Sequence, residues 1–339
     1  MAQKNKRPTQ ADVARRANVS QAMVSYILNG NSAVSVPPET RQRILAAMQE
    51  LGYIPNITAR SLRTSKTYTI ASIIPDITNP FYPAFQRGIQ DVAEHLGYDL
   101  IMYNTDGVAE KEWKCLRSAQ QGRVDGVIGA FFHLTAQDLF PLLDRGIAIV
   151  RLEAMLKQAG VYPLDNLYVD NIAAAQMAVS YLIKQGHRRI GLIAEQRGPG
   201  HLRTLGYQQA LAAHKLPFDK NLLRSGNFAE EGGYQAMQEL LALSSRPSAV
   251  FAVNDMMAIG SLRAIREAGL SVPDDVAVMG FDDIPIAKLV YPPLTTVAQH
   301  QEQLGRRAAA MLMERLSGAA PETGRCEEMP FQLVIRESA

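Results

Sequence analysis

Cysteine and long apolar runs are both scarce in this sequence. Its 339 residues include two cysteines, Cys115 and Cys326, and thiols about two hundred positions apart match neither a disulfide scaffold nor a metal-ligand spacing. No segment approaches about 18 consecutive apolar residues, and the charged N-terminus precedes no apolar stretch like that of a secretory signal. These absences exclude a spanning helix and favour a cytoplasmic protein with structural thiols, no metal and no other cofactor.

Net charge is nearly absent as well, although the charges are distributed unevenly. The formal total is +2, but residues 1–66 contain ten basic and three acidic side chains and so carry +7. Residues 67–339 contain 25 basic and 30 acidic side chains and carry −5. A basic head on an acidic body indicates a polyanionic partner that the total charge conceals. The length and the hydrophobic fraction of 47% are typical of a globular protein of two or three domains.

Residues 9–51 have the pattern of three short helices with no strand between them. Thr9 and Asp12 have the spacing of a capping box, and Ser20 can cap the second helix. Asn18, in the turn between the first two helices, tolerates a left-handed backbone. Two short helices joined by a three-residue turn in a basic segment are typical of a helix-turn-helix, whose second helix enters the major groove of DNA. The alternative is a three-helix docking domain with a solvated basic face.

The second helix, Ser20 to Leu28, predicts an outward face of four residues, because its apolar side chains form a buried stripe. A glutamine can bond adenine through two contacts, and an alanine can touch a thymine methyl. A serine can bind phosphate, and a tyrosine can bind phosphate or a base edge. The outward residues are Gln21, Ala22, Ser25 and Tyr26.

From Tyr68 onward, short apolar runs alternate with amphipathic helical patterns. Strands that are apolar on both faces and separated by helices predict parallel sheets covered by helices. Seven or more such units fit two doubly wound lobes better than one sheet. The predicted strands are Thr69–Ile74, Asp99–Asn104, Val124–Gly129, Ala148–Leu152, Arg189–Ala194, Ala249–Val253 and Val276–Phe281. The predicted helices cover about 81–96, 110–121, 171–185, 203–214, 231–243, 256–268 and 299–317.

No catalytic motif emerges from the sequence. The glycine-rich segment 198–203 has Arg203 where a dinucleotide fingerprint needs its third glycine. There is no phosphate-binding P-loop, no G-x-S-x-G elbow and no H-E-x-x-H helix. We therefore predict no catalytic residue and no enzyme activity.

Thr9 to Leu62 resembles the DNA-binding head of the lactose-repressor (LacI/GalR) family of bacterial regulators, in the segments TQADVARRANVSQAMVSYILNG and ETRQRILAAMQELGYIPNITARSL. The resemblance continues over nearly the whole chain, where short motifs follow one another in the family's order and spacing. These motifs are Asn79-Pro80-Phe81-Tyr82, Val124 to Ile128, Gly186 to Ile193, Arg203 with Gly206-Tyr207, Asn254-Asp255, Val272 to Asp283 and Pro293 to Val297.

The resemblance implies a transcriptional regulator, usually a repressor, that binds pseudo-palindromic double-stranded operator DNA as a homodimer, in the bacterial cytoplasm and at the nucleoid when bound. It implies an all-α helix-turn-helix head at 1–54, a hinge helix at 55–66 and a periplasmic-binding-protein-like α/β body at 67–339. The body would form two doubly wound parallel-sheet lobes. Their expected limits are about 67–165 with 296–325 for the first lobe, and about 166–295 with 326–339 for the second.

Matching positions imply that Gln21, Ala22 and Tyr26 read bases and that Leu62 is a wedge between the central base pairs. An isolated hinge helix is too short to be stable in water, so it should order only against its twin and the groove. Ordinary linker packing is the alternative for Leu62. Tyr26 stands where the family often has Arg or His, and Asn18 where it usually has Gly. The candidate DNA contacts are Thr9, Ser20, Gln21, Ala22, Ser25, Tyr26, Asn29, Asn56, Ala59 and Leu62.

The resemblance also implies an effector in the cleft between the lobes. An arginine fork and paired carboxylate acceptors can satisfy vicinal hydroxyls, while an aromatic face covers a sugar ring. Asp170 and Asp255 could instead cap helices, and Arg203 could be a surface ion-pair residue. Phe81 and Tyr82 could be lobe packing. The candidate effector contacts are Asn79, Phe81, Tyr82, Asp170, Arg203 and Asp255.

Asp282 and Asp283 are assigned to loop or inter-lobe contacts and not to the effector site. The small-molecule effector is predicted to be a carbohydrate that acts as an inducer. A purine-type corepressor is the alternative within the family. A solute-binding protein of a transport system is the alternative outside it, and the basic head and the missing secretory signal argue against that.

Overall fold

The computed structural model describes residues 7–28, 36–54, 66–152 and 161–339. Contacts within the chain divide it into two compact units, Met1–Thr67 and Tyr68–Ala339. Four of the candidate DNA contacts lie outside the described residues: Asn29, Asn56, Ala59 and Leu62.

The N-terminal unit has the three helices that the sequence predicts. Their bounds are α1 Gln10–Ala17, α2 Gln21–Leu28 and α3 Pro38–Leu51. The Thr9 hydroxyl accepts from the Asp12 backbone N–H at 3.3 Å, and the Asp12 carboxylate accepts from the Thr9 backbone N–H at 2.9 Å. This is the predicted capping box, which satisfies backbone donors that the first helical turn would otherwise leave unpaired. Asn18 has the predicted left-handed backbone, with φ 51° and ψ 54°.

The same unit has its own small core. Val13, Val24 and Ile44, one from each helix, are fully buried and belong to one apolar cluster. Ser20 caps α2, because its hydroxyl accepts from the Met23 backbone N–H at 3.2 Å. The apolar stripes thus bring α1 and α2 together through a short turn and leave one face of α2 exposed.

The first lobe of the body is a parallel sheet covered by helices. Its strands are β1 Thr69–Ile74, β2 Asp99–Asn104, β3 Gly126–Ala130, β4 Ala148–Leu152, β5 Leu164–Val169 and β11 Cys326–Met329. Its helices are α4 Phe81–His95, α5 Ala109–Gln120, α6 Ala136–Leu143 and α11 Gln301–Leu316. The strand order β11-β5-β4-β3-β1-β2 changes direction between β3 and β1, as in a doubly wound sheet.

The second lobe repeats this arrangement with four strands. They are β6 Ile190–Ala194, β7 Leu223–Ser225, β8 Ala249–Ala252 and β9 Ala277–Met279. The helices are α7 Asn171–Lys184, α8 Pro199–Ala213, α9 Glu230–Leu241 and α10 Asp255–Glu267. The order β7-β6-β8-β9 changes direction between β6 and β8. Short 3₁₀ helices lie at Lys220–Leu222 and Pro285–Lys288.

A small antiparallel pair accompanies the second lobe. It consists of β10 Thr296–Ala298 and β12 Gln332–Val334. Single bridges join Met279 to Thr295 and Asp282 to Ala298, so this pair is connected to the end of β9.

All seven predicted strands of the body are present, and so are all seven predicted helices. The sequence patterns missed α6 and the five strands β5, β7, β10, β11 and β12. Asp165 and Asn166 interrupt the apolar run of β5, although both are buried in the sheet. The Asp165 carboxylate accepts from Arg315 at 2.6 Å and from Arg325 at 2.8 Å. These ion pairs offset the cost of burying its charge and allow a polar strand in a sheet interior.

The lobe limits therefore differ from those expected. Because β5 and β11 pair in the first sheet, that sheet continues to Val169 and includes residues up to Met329. We place these two crossings after β5 and β11 and not at 165 and 325. Since β10 accompanies the second lobe, the third crossing lies after Ala298 and not at 295. Among the described residues, no helix combines the length and apolarity needed to cross a membrane.

Candidate functional site

A cavity of about 410 Å³ lies between the two lobes. Its lining residues follow the carboxyl ends of strands in both sheets, which is where ligands bind in doubly wound folds. The first lobe contributes Pro75, Asp76, Thr78, Asn79, Phe81, Tyr82, Asp106, Gly107, Ala130, Phe131, Phe132 and Leu152. Val169, at the end of β5, also belongs to the first lobe. The second lobe and the crossing segments contribute Asn171, Arg197, Gly198, Pro199, Arg203, Asn227, Phe228, Asn254, Asp282 and Gln299, and Leu304 of α11 completes the lining.

Arg203 is the most deeply placed cation of this cavity, with 4% of its surface exposed. Its Nε donates to Asn171 Oδ1 at 2.9 Å, and its Nη1 donates to the Val253 carbonyl at 2.5 Å. The guanidinium carbon lies 3.7 Å from the centroid of the Phe281 ring. Burial lowers the pKa of Arg203, and the neighbouring Asp282 carboxylate opposes that shift. An arginine keeps its charge in such a setting, so Arg203 is a rigid cationic donor.

Asp282 supplies the opposite charge. Its Oδ1 lies 3.4 Å from Arg203 Nη1 and accepts from Gln299 Nε2 at 2.6 Å. Burial raises the pKa of Asp282, and the nearby Arg203 charge works in the other direction. The backbone of Asp282 has φ 123°, a conformation that costs energy for a residue with a side chain. Its carboxylate is therefore held in place by tertiary contacts.

The first lobe brings an amide and two rings to the cavity. Asn79 accepts through Oδ1 from the Phe81 backbone N–H at 3.1 Å, at the start of α4. Phe81 and Tyr82 meet edge to face, with centroids 5.1 Å apart. Both rings are mostly buried, and burial raises the pKa of Tyr82 further above its ordinary value. The Tyr82 hydroxyl is thus a neutral hydrogen-bonding group of the cavity.

Four of the six predicted effector contacts line this cavity: Asn79, Phe81, Tyr82 and Arg203. Asp170 and Asp255 are outside its lining. Asp170 caps α7, since it accepts from the Ala173 backbone N–H at 3.0 Å. Asp255 is turned to β10 and to the segment after β9, where it accepts from the Thr296 hydroxyl at 2.5 Å and from the Ile284 backbone N–H at 2.9 Å.

The alternative role offered for Asp255, a helix cap, is not the one it has either. Asn254 is the capping residue of α10, because its Oδ1 accepts from the Met257 backbone N–H at 3.0 Å. Sequence reasoning missed Asn254 and Asp282 as lining residues and had assigned Asp282 to loop or inter-lobe contacts. Both follow predicted strands directly, so the strand-end rule could have found them.

The second candidate surface is the exposed face of α2. Gln21 and Ala22 are exposed, Tyr26 is 38% exposed, and Ser25 is half-buried. Thr9 and Ser20, at the starts of α1 and α2, are exposed as well. These six residues are the described part of the predicted DNA contacts. Among the described residues, no group of three His, Cys, Asp or Glu side chains is placed to hold a metal ion.

Comparison with known proteins identifies the family. The family model for bacterial regulatory proteins of the lacI family matches residues 9–56, and that for a periplasmic binding protein-like domain matches residues 179–339. The ribose operon repressor of Escherichia coli K12 is 35% identical over 334 residues, which cover 98% of this chain and 99% of the relative. The chain belongs to the LacI family of bacterial regulatory proteins.

Two further comparisons extend over the full length of this LacI-family chain. The HTH-type transcriptional repressor PurR of Photobacterium profundum is 34% identical over 330 residues, with 96% of this chain and 97% of the relative covered. The crystal structure of the lac repressor dimer bound to operator and the anti-inducer ONPF is similar with a TM-score of 0.86 and 27% identity, and 98% of this chain and 99% of that chain are covered. The predicted family and fold class are confirmed, and the protein is a DNA-binding transcriptional regulator.

Proposed function

We propose that this regulator is a repressor that binds pseudo-palindromic operator DNA as a homodimer and releases it when a sugar occupies the cavity between the lobes. The observation that carries this proposal is the buried pair of Arg203 and Asp282, 3.4 Å apart on the wall of a cavity of about 410 Å³. A cavity of that volume lies in the range of small-molecule sites. An effector controls DNA affinity only by binding two conformations differently, and a cavity between lobes changes shape when the lobes move.

The polar groups of the cavity suit a polyol. A guanidinium donates in a fixed fork and a carboxylate accepts at two oxygens, so Arg203 and Asp282 together complement neighbouring hydroxyls. Asn171 and Asn254 add amide groups to the same lining. The rings of Phe131, Phe132 and Phe228 provide apolar faces for the carbon side of a sugar ring. The name of the similar ribose operon repressor points to the same class of effector.

A purine corepressor is the second candidate, and the three phenylalanines favour it. The Phe132 and Phe228 centroids lie 6.1 Å apart, so two rings face the cavity from opposite lobes. A flat nucleobase stacks on such rings, and an amide or a carboxylate bonds its edges. A corepressor would strengthen operator binding, whereas a sugar inducer would weaken it.

The head supports the DNA side of the proposal. Gln21, Ala22 and Tyr26 lie on the exposed face of α2, where a major-groove helix carries its base-reading residues. The segment that contains Leu62 supplies the proposed hinge helix and wedge.

The test has two stages with the full-length protein. A thermal-shift screen of D-ribose, D-glucose, cellobiose, adenine and guanine identifies a binder, since a ligand of the folded state raises the Tm. Fluorescence anisotropy with an operator selected from a random-sequence library then measures operator affinity with and without that binder. We expect a sugar to raise the Tm and to lower operator affinity.

Other results would point elsewhere. A purine that raises both the Tm and operator affinity would replace the inducer by the corepressor. Selection of no DNA sequence, together with sugar binding, would overturn the proposal of a pseudo-palindromic operator.

A further inference from the structure

Phe132, on the loop after β3, stands between the two lobes at the cavity. One edge of its ring faces Gly107 of the first lobe, where an added Cβ would lie 3.2 Å from Phe132 Cδ2. The opposite edge rests on Gly198 of the second lobe, where an added Cβ would lie 2.5 Å from Phe132 Cε1. Both glycines have positive φ values, 61° and 53°. The ring is thus seated between two stretches of bare backbone that a side chain would block.

Two more contacts join the lobes at the same place. Phe132 meets Phe228 of the second lobe at a centroid distance of 6.1 Å, with the rings tilted by 45°. Arg197 of the second lobe donates from Nη1 to the Gly107 carbonyl at 3.5 Å, while its Nη2 is paired with Glu195 at 3.0 Å. All of these groups except Glu195 line the cavity. A ligand that enters or leaves on this side has to separate Phe132 from Phe228 and Arg197 from Gly107.

The loop that carries Phe132 is held by a buried carboxylate. Glu112 of α5 is fully buried. Its carboxylate accepts three consecutive backbone N–H groups, from Phe132 at 2.8 Å, His133 at 3.1 Å and Leu134 at 3.0 Å. The His133 ring nitrogen Nε2 also bonds the Gly107 carbonyl at 2.9 Å. Hydrogen bonds from backbone amides to a carboxylate are stronger than bonds between neutral groups, so these three bonds hold the loop in one path.

We propose that Phe132 is the gate residue of the effector cavity and that Glu112 is its positioning residue. The Phe132 ring closes the cavity by bridging Gly107 and Gly198, and it slows the release of a bound effector. Glu112 acts through the three backbone amides and does not touch the cavity. This inference rests on the proposed effector function, because a gate regulates only a site that is used.

The first experiment needs no effector. Hydrogen–deuterium exchange is followed in the full-length protein, in Phe132→Ala and in Glu112→Gln. The decisive peptide covers residues 196–201 of the second lobe, where the Gly200 N–H donates to the Arg197 carbonyl at 3.2 Å. Both variants should speed exchange in this peptide as well as in 131–135. A gain in exchange confined to the first lobe is what a merely structural role of Glu112 would produce.

Matched controls are present in the chain. Glu110→Gln changes an exposed carboxylate two positions away on the same helix. Phe218→Ala removes a partly exposed ring of the second lobe that packs on Tyr207, outside the lining of the cavity. Both controls should leave exchange in 196–201 unchanged.

The second experiment uses whichever of D-ribose, D-glucose and adenine binds most tightly. Its dissociation rate is measured by stopped-flow displacement. Phe132→Ala should release it up to about tenfold faster, the effect of losing one aromatic contact. Glu112→Gln should also increase the dissociation rate, and Glu110→Gln should leave it unchanged.

The outcomes separate the two proposals. Unchanged exchange in 196–201 for Phe132→Ala would overturn the bridge between the lobes, and an unchanged release rate would overturn the gate. An effect of Phe132→Ala without one of Glu112→Gln would remove only the positioning role. If exchange responds as expected but none of the three probes binds, the bridge stands and the proposed effector class fails.

Discussion

Arg203 makes polar contacts with three residues and an aromatic contact with a fourth on the wall of the cavity. It is paired with Asp282, bonded to Asn171 and stacked on Phe281, and its fork geometry makes these contacts simultaneous. Arg203→Lys keeps the charge that compensates Asp282 but loses the fork. We expect it to weaken effector affinity by about ten- to a hundredfold, as one or two charged hydrogen bonds are lost.

Isothermal titration calorimetry with the effector found by screening measures that loss. Arg263→Lys is the matched control, since Arg263 pairs with Glu230 and Glu267 on the surface of the second lobe. Wild-type affinity in Arg203→Lys would mean that Arg203 is only a structural part of the lobe. Operator affinity without effector should be unchanged in both variants.

Asp255 links the stability of the body to pH. Burial raises the pKa of Asp255, and the neighbouring Asp282 carboxylate raises it further. A carboxyl whose pKa is raised on folding binds its proton more tightly in the folded state. Its contribution to stability is therefore present at acidic pH and is lost as pH rises from about 4 through the raised pKa.

Asp255→Asn keeps the shape of the protonated acid but cannot ionise. We expect the free energy of unfolding of this variant, relative to wild type, to increase between pH 5 and pH 8. Urea unfolding at the two pH values measures it. Asp219→Asn is the control, because backbone hydrogen bonding lowers the pKa of Asp219 and leaves it ionised at both values. A difference for Asp255→Asn that does not change with pH would contradict the raised pKa.

At the scale of elements, one variant in α2 and one in α1 distinguish base reading from sequence-independent attraction to DNA. Gln21 is exposed in its first turn, where a recognition helix contacts bases. Gln21→Ala should reduce discrimination at one operator base pair by about 1–3 kcal/mol. Arg15→Ala, at the exposed end of α1, should weaken binding to all sequences alike.

Anisotropy titrations against single-base variants of the selected operator distinguish the two effects. If Gln21→Ala lowers affinity for every sequence by the same factor, the glutamine binds phosphate and does not read a base. If both variants bind as wild type, α2 is not the recognition helix.

Elements differed in how well the sequence predicted them. The capping box of Thr9 and the left-handed turn at Asn18 are local, so residue type and spacing are sufficient to predict them. The strand β5 was missed because its second residue, Asp165, is polar, and the burial of its charge is compensated by Arg315 and Arg325. Arg315 and Arg325 follow Asp165 by 150 and 160 residues in the chain. Local hydrophobic patterns carry no information about such partners.

At the scale of the whole molecule, the charge asymmetry predicts a steep salt dependence. Residues 1–66 carry +7 and the rest of the chain −5. Each phosphate neutralised by the head releases a condensed counterion, so the logarithm of operator affinity should fall with that of salt with a slope of about −0.9 per contact. Titrations between low and moderate salt test this, and a slope near zero would reject the basic head as the DNA-binding surface. Effector affinity, which depends on the body, serves as the internal control.

The proposed hinge makes a second prediction at this scale. Leu62→Ala should weaken operator binding, because the unstacking of the central base pairs would lose its apolar wedge. Effector affinity should stay at its wild-type value. Leu62→Met is the matched control, since it retains an apolar side chain of similar size. Unchanged operator binding in Leu62→Ala would reduce this residue to ordinary linker packing.

The helix-turn-helix head and the α/β fold class were predictable from the order of residues, because periodicity and capping are local properties. The family was predictable through the resemblance of its motifs, in their order and spacing, to a known family. The composition of the effector cavity was predictable only in part. Asp255 and Asp282 are each the third residue after a strand, β8 and β9, and nothing local distinguishes them. Contacts with Thr296 and Ile284 turn Asp255 away from the cavity, while Gln299 and a left-handed backbone turn Asp282 into it. Which carboxylate faces a ligand depends on segments that meet only after folding.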